Sequence, residues 1–198
     1  FGYIGRMKAA AEALGYKKEN LVFIIIQLVR LLKEGKEVRM SKRTGSYVTI
    51  DELIDEVGLD AARFFFLMSS PDTHMNFDLD LAKEQSLKNP VYYAQYAAVR
   101  IQGILAKLKN SAKSKSAKDG KIDFNLLNTV EDINLTRMLA RFPEIVEAAA
   151  ENYNPQALVR FALDLSREFH NFYEKEKIIG EKQELVASSL ELIKAAQI

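Results

Sequence analysis

The alternation of apolar and polar positions divides the chain into a short mixed front and a long helical remainder. Residues 5–14 carry Met7, Ala10, Ala11 and Leu14 at helical spacing with Gly15 behind them, which predicts a short amphipathic helix. Residues 21–32 are rich in Ile, Val, Phe and Leu, the composition of a buried strand, broken only by Gln27 and Arg30. Helix followed by buried strand predicts the last unit of a parallel sheet. Gly35, within Lys33-Glu34-Gly35-Lys36, predicts a hairpin turn, and an extended piece over 37–40 then leads to a loop at 41–45.

Thr49 and Glu52 form a capping box for a helix over 50–57, which Gly58 ends. Asp60 caps the next helix, 61–68, and Ser69, Ser70 and Pro71 terminate it. Its Phe64-Phe65-Phe66-Leu67 run is apolar all round and predicts deep burial. The alternating acids of Met75-Asn76-Phe77-Asp78-Leu79-Asp80-Leu81 admit a metal site or helix caps. Carboxylates are favoured at the positive end of a helix, so Asp78 and Asp80 are assigned as caps of a helix starting near Leu81. Asn89 and Pro90 supply the N-cap and first position of a long helix, 90–109.

A polar, low-complexity linker follows at 110–121. Beyond it the pattern is helical: 129–142, a helix opened by Pro143 to about 152, a long one from Asn154-Pro155 to near Gly180, and a last one from about 181 with Leu185, Leu190 and Ile193 facing inward. The long helix runs through Leu158, Phe161, Ala162, Leu165, Phe169 and Phe172. His170 lies between two of these phenylalanines and reads as a structural histidine. The fold class is therefore mostly α, with the strand and hairpin of an α/β domain at the front and a helical bundle behind.

Composition changes this picture little. The chain has 198 residues, 48% hydrophobic and 28% charged, with a net charge of +1, so any nucleic-acid site must come from local clustering. There is no Cys, and the two His, at 74 and 170, are far apart; no metal centre is expected. No run approaches the ~18 consecutive apolar residues of a membrane span, and no signal peptide is visible. The start at Phe1, without Met, reads as a piece of a longer protein.

Two stretches carry candidate chemistry. Arg39, Lys42 and Arg43 put three cations within five residues, on a loop that Gly45 loosens. That suits a polyphosphate whose charge shifts during reaction, with a basic surface turn as the plain alternative. On helix 90–109, Tyr93, Tyr96 and Arg100 follow i, i+3, i+7 and share one face. An aromatic stripe at this spacing is usual in a core, yet Tyr also stacks on unpaired bases and Arg contacts phosphate, so both readings stand. The linker lysines divide in the same way between an RNA backbone and solvent.

Arg39-Met40-Ser41-Lys42-Arg43 resembles the Lys-Met-Ser-Lys-Ser signature of class I aminoacyl-tRNA synthetases, with Arg39 where that family has Lys. Gly2-Tyr3-Ile4-Gly5-Arg6, Asn76-Phe77-Asp78-Leu79-Asp80-Leu81-Ala82, Gln85-Ser86 and Asn89-Pro90-Val91-Tyr92-Tyr93-Ala94-Gln95-Tyr96-Ala97 are similar to arginyl-tRNA synthetases. Ala157-Leu158-Val159-Arg160-Phe161 and Phe169-His170-Asn171-Phe172-Tyr173 resemble the helical anticodon-binding domain shared by arginyl- and cysteinyl-tRNA synthetases. Ala98 stands where the family often has His.

The resemblance implies that residues 1–81 close a Rossmann-like class I catalytic domain and that 82–198 form an anticodon-binding domain. It implies an arginine–tRNA ligase that works in the cytoplasm with ATP and Mg2+. Arg39, Met40, Ser41, Lys42 and Arg43 would then close over ATP, with Lys42 as the catalytic residue that stabilises departing pyrophosphate. Tyr93, Tyr96 and Arg100 would face the anticodon arm of arginine tRNA. The family's His-x-Gly-His motif is absent, and its amino-acid pocket is expected upstream, so the chain alone is expected to bind RNA weakly and not to catalyse. The full-length enzyme is expected to be a monomer, whereas the lone chain could dimerise through an exposed edge at 21–32. The alternative is a non-enzymatic helical protein–protein interaction module whose aromatic residues are all core.

Overall fold

The computed structural model describes residues 2–38, 48–110, 121–178 and 181–197. Helix α1 covers Ile4–Ala13 and is followed by a single 3-10 turn at Lys18–Asn20. Strands β1 (Val29–Lys33) and β2 (Lys36–Glu37) form an antiparallel hairpin with Lys33 opposite Lys36. Glu34 and Gly35 at its tip both have positive φ, 52° and 69°, the paired left-handed geometry of a hairpin turn whose twist matches the strands. Strand β3 (Met75–Asp78) lies parallel to β1, with Val29 opposite Met75 and Leu32 opposite Asp78, so the sheet order is β2-β1-β3.

One expectation is corrected at the sheet. The predicted buried strand over 21–32 is a strand only from Val29. Residues 21–28 join no ladder, and Val22, Ile24, Ile26 and Leu28 stay more than half exposed. Apolar composition makes a segment suited to a sheet, but a strand requires a partner, and β3 reaches only as far as Val29. Conversely, β3 lies in a stretch whose sequence reads most plainly through its acids. Its Met75 and Phe77 alternate inward, with Phe77 fully enclosed.

Helix α2 (Ile50–Val57) starts with the expected reciprocal cap: Thr49 Oγ1 accepts from the Glu52 N–H at 3.2 Å, and the Glu52 carboxylate accepts from the Thr49 N–H at 2.8 Å. Gly58, at φ 84° and ψ 153°, turns the chain into α3 (Leu59–Leu67) in a conformation that only glycine adopts readily. Asp60 does not cap α3; it falls inside the first turn, because the helix begins two residues early. Only Phe65 of its aromatic run is buried, with Phe64 and Phe66 half-buried, since α3 covers the sheet with one face. Asp78 Oδ1 caps α4 (Leu79–Lys83) by accepting from the Asp80 and Leu81 N–H groups, each at 3.0 Å. Asp80 departs from expectation: its carboxylate accepts from the Glu34 N–H and so ties the hairpin tip to α4.

Helices α5 (Pro90–Asn110), α6 (Val130–Ala140), α7 (Phe142–Glu151), α8 (Gln156–Lys175) and α9 (Gln183–Ala195) make up the rest. Helix α8 stops five residues short of Gly180, where Glu176 turns extended. In α9 the fully buried apolar positions include Val186, Leu192 and Ile193, with Leu185 and Leu190 only half-buried. The described residues form two apolar cores. Leu31, Leu53, Phe65, Met75 and Phe77 centre the first, where the Phe77 ring lies 5.3 Å from both Phe65 and Phe66. Ile101, Leu135, Phe161, Phe169, Phe172 and Ile193 centre the second. Helix α5 serves both, giving Val91 to the first and Ala97, Ile101 and Ile104 to the second. Gln156 Nε2 donates to the Met68 carbonyl at 2.6 Å and ties the start of α8 to the end of α3.

Candidate nucleic-acid interface

Helix α5 is fixed at its start by a buried amide. Asn89 Oδ1 accepts from the Val91 N–H at 3.0 Å, while Nδ2 donates to the carbonyls of Ala82 and Glu84 at 3.1 and 2.9 Å. The side chain thus caps α5 and satisfies carbonyls left at the end of α4. Pro90 behind it has no N–H to lose. The rotational setting of α5 follows: Val91, Ala97, Ile101 and Ile104 face the cores, and Tyr92, Tyr96, Arg100 and Lys107 run along its more open side.

Helix α8 packs alongside and completes a cluster at that side. The Arg100 guanidinium lies between two rings, 4.5 Å from the centre of Tyr96 and 4.7 Å from that of Tyr173. Arg100 Nη1 is also 3.3 Å from His170 Nδ1. Arginine has only donors, so Nδ1 must be the accepting, unprotonated nitrogen of the ring. Tyr93 meets the His170 ring edge-on at 4.9 Å, and Tyr96 tilts over it at 5.6 Å. Tyr92 stacks nearly parallel to Tyr96, one turn along α5, at 6.3 Å. Cation–π contacts of this kind each contribute about 0.5–2 kcal/mol, rising as water is excluded.

Burial shifts the two polar rings beneath the surface. The His170 imidazole is pushed below its ordinary range by burial first and by the Arg100 charge second, against hydrogen bonding to the Tyr93 backbone and the pull of Glu174. Its Nε2 is buried and has no hydrogen-bond partner of good geometry. The Tyr93 phenol is pushed up, mainly by burial.

A groove of about 460 Å3 opens along this cluster, lined by Tyr96, Arg100, Gly103, Lys107, Tyr173 and Lys177. Glu176 at its margin is outnumbered by the three cations. Flat rings beside exposed cations suit stacked bases and their phosphates. Tyr92 and Tyr173 are 36% and 38% exposed, so the aromatic residues are not simply core. Of the three residues singled out from the sequence, Tyr96 and Arg100 line the groove, and Tyr93 turns inward as a support under His170. Sequence reasoning missed His170 and Tyr173. Their signal was the i, i+3 pairing on α8, which says which face they share but not that it meets Arg100. The other predicted site, Arg39-Met40-Ser41-Lys42-Arg43, lies outside the described residues. So does most of the linker, 111–120.

The model of the DALR anticodon binding domain matches residues 94–198. The whole chain is similar to arginine–tRNA ligases, 45% identical over 197 residues in Carboxydothermus hydrogenoformans and 48% over 198 residues in Bacillus velezensis. It spans 35% of the length of these curated relatives. Among solved structures, a protein from Campylobacter jejuni assigned as an arginyl-tRNA synthetase superposes over 99% of this chain and 42% of its own, with a TM-score of 0.82 and 31% identity. The arginyl-tRNA synthetase of Thermus thermophilus shares the fold, with a TM-score of 0.76 at 24% identity over 96% of this chain and 35% of its own. With more than half its length matched by that domain model, the chain belongs to the DALR anticodon-binding domain family, and over its whole length it is similar to arginine–tRNA ligases.

Proposed function

We propose that the chain serves the charging of arginine tRNA, with the α5–α8 groove holding unpaired nucleotides of the anticodon arm. The observation that carries the reading is the Arg100 guanidinium between Tyr96 and Tyr173 in a cation-rimmed groove, within the segment matched by the anticodon-binding model. In this role Tyr96 and Tyr173 offer stacking faces, Arg100 and Lys107 meet phosphates, and Tyr93 supports the cluster from below. Residues 82–198 act as the anticodon-binding unit and 1–81 as the closing part of the catalytic domain.

The reaction served is a two-step ligation. The arginine carboxylate attacks the α-phosphate of ATP, and pyrophosphate leaves. A terminal ribose hydroxyl of the tRNA then attacks the arginyl carbonyl of the adenylate, and AMP leaves. Arg39, Met40, Ser41, Lys42 and Arg43 close over ATP, and Lys42 stabilises the charge that builds on departing pyrophosphate. Mg2+ accompanies the ATP phosphates. The described residues bring no three carboxylates or imidazoles together to hold it, and no step is assigned to it on this chain.

Both steps need parts of the protein beyond this chain, so the chain alone binds tRNA and does not catalyse. Its setting is the cytoplasm, where tRNA and ATP meet. No helix among the described residues is long and apolar enough to cross a membrane. The exposed row Val22, Ile24, Ile26 and Leu28 supports self-association of the chain by itself, while the full-length enzyme acts as a monomer.

Binding to arginine tRNA and to an unrelated tRNA, at low and moderate salt, tests the reading. Preference for arginine tRNA, with affinity falling steeply as salt rises, is expected. Equal or salt-insensitive binding would overturn it.

A further inference from the structure

We propose that His170 is a positioning residue that holds Arg100 in its stacked place, and that protonating His170 releases Arg100 and weakens recognition of the anticodon loop. This rests on the reading of the α5–α8 groove as the nucleotide site. The geometry is specific. A free arginine side chain on a helix samples many rotamers, and two rings alone restrain it only along the stacking direction. The third contact, Nη1 to His170 Nδ1 at 3.3 Å, fixes rotation in the plane of the guanidinium. It therefore decides which of the remaining N–H groups point into the groove.

The His170 ring cannot move to accommodate a change. Tyr93 meets it edge-on at 4.9 Å, Tyr96 lies 5.6 Å over it, and Phe169 packs at 6.0 Å. His170 is 8% exposed, and Nε2 is buried with no hydrogen-bond partner of good geometry. An imidazolium here would lose the acceptor that Arg100 uses and would face a second cation at contact distance in a poorly hydrated place. Arg100 is the member of the pair with a route to water, along the groove past Lys107 and Lys177, so it is the one that leaves.

Among the described residues no anion is paired with the His170 ring. From α5 come Arg100 itself and the phenols of Tyr93 and Tyr96. From α8, Glu174 attracts the imidazolium weakly, while Arg167 and Glu168 act in opposite directions on Tyr93. From α6, Glu131 is engaged by Lys175. Helices α3 and α7 meet α8 further toward its start, through Met68 against Gln156 and Phe142 against Phe161. The neutral ring is already favoured at neutral pH, because burial and Arg100 both lower its proton affinity.

The test uses the full chain, an RNA hairpin bearing the arginine anticodon loop, and a hairpin of the same stem with an unrelated loop. The readout is the ratio of the two affinities between about pH 7.5 and pH 5, the range in which an imidazole titrates. An added positive charge strengthens binding to both hairpins alike and cancels in that ratio. The expected result is a loss of about tenfold in preference on acidification, the scale of one charge-assisted hydrogen bond. His170→Asn keeps an acceptor near the Nδ1 position and cannot titrate, so its preference should stay near the original value at every pH. His170→Phe keeps the ring and loses the acceptor, so its preference should be low throughout. Equal loss in folded His170→Asn and His170→Phe, or full preference in His170→Phe, would overturn the positioning role, and a flat pH profile in the unaltered chain would overturn the release of Arg100 on protonation. Arg100→Ala separates the two levels. Full preference in Arg100→Ala would remove the nucleotide-site reading itself, whereas lost preference there with full preference in His170→Phe would remove only the role of His170.

Discussion

The Arg100 guanidinium lies 4.7 Å from the centre of the Tyr173 ring, although Arg100 is on α5 and Tyr173 near the end of α8, with α6 and α7 between them in the chain. The contact exists because α5 and α8 share the second core. Helix α5 contributes Ala97 and Ile101 to it, and α8 contributes Phe161, Leu165, Phe169 and the fully buried Phe172. The packing that stabilises the bundle therefore also assembles the candidate interface.

Tyr96 supplies one face of that sandwich and is only half-buried. Tyr96→Ala should weaken binding of arginine tRNA by about 1–3 kcal/mol, the cost of losing one stacking platform. The melting temperature should move far less than for a buried aromatic, whose truncation costs about 3–5 kcal/mol. Affinity titration and thermal melting of the same variant separate these effects. A large melting shift with unchanged affinity would make Tyr96 a core residue.

His170 also makes stability depend on pH. Its folded-state proton affinity lies below the ordinary value of 6.5, so the unfolded chain binds more protons in that window. Stability should thus be highest above the unfolded value and decline as pH falls below it toward the lower folded value. Glu56 and Glu131 shift in the direction that favours their charge: ion pairing, led by Lys83 and Lys175 respectively, holds both below the ordinary 4.5. Their contribution is present above 4.5 and is lost only as pH falls further, so the two windows separate. Melting from about pH 7 to 5 should show the histidine decline, and His170→Asn should flatten it.

Asn89 is buried and uses both ends of its amide. Asn89→Ala should destabilise by about 1–3 kcal/mol through the lost cap and two stranded carbonyls. Asn89→Asp is the sharper comparison. At an ordinary N-cap Asp equals Asn, but here a carboxylate oxygen would face the Ala82 and Glu84 carbonyls. Chemical denaturation should therefore show Asn89→Asp to be clearly less stable than the parent; equal stability would refute the dual role of the amide.

Lys42 is the residue assigned to the departing pyrophosphate. In the full-length enzyme, Lys42→Ala should lower arginine-dependent ATP–pyrophosphate exchange by roughly 10²-fold or more, as loss of a transition-state charge partner does. Binding of tRNA, proposed to occur in the α5–α8 groove, should be unchanged. Unaltered exchange would remove the assignment.

Local rules settle much of this chain. The Thr49–Glu52 box, the Gly58 break, the Asn89-Pro90 start and the Gly35 turn each depend on a few neighbouring residues, and each is legible in the order of residues alone. The helical spacing of Tyr93, Tyr96 and Arg100 likewise puts them on one side of one helix. Pairing between distant segments is not legible in that way. Residues 21–28 have the composition of a strand but lack a ladder, and β3 gains one because β1 lies beside it. Asp80 looks like a cap and instead holds the hairpin tip. Tertiary packing also splits the aromatic stripe, turning Tyr93 inward and leaving Tyr96 on the groove. It brings His170 and Tyr173 to Arg100, which no spacing within a helix could specify. The reason is physical: caps, turns and helical faces are fixed by hydrogen bonds within a few residues, whereas ladders and side-chain clusters need surfaces that only the packed chain brings together.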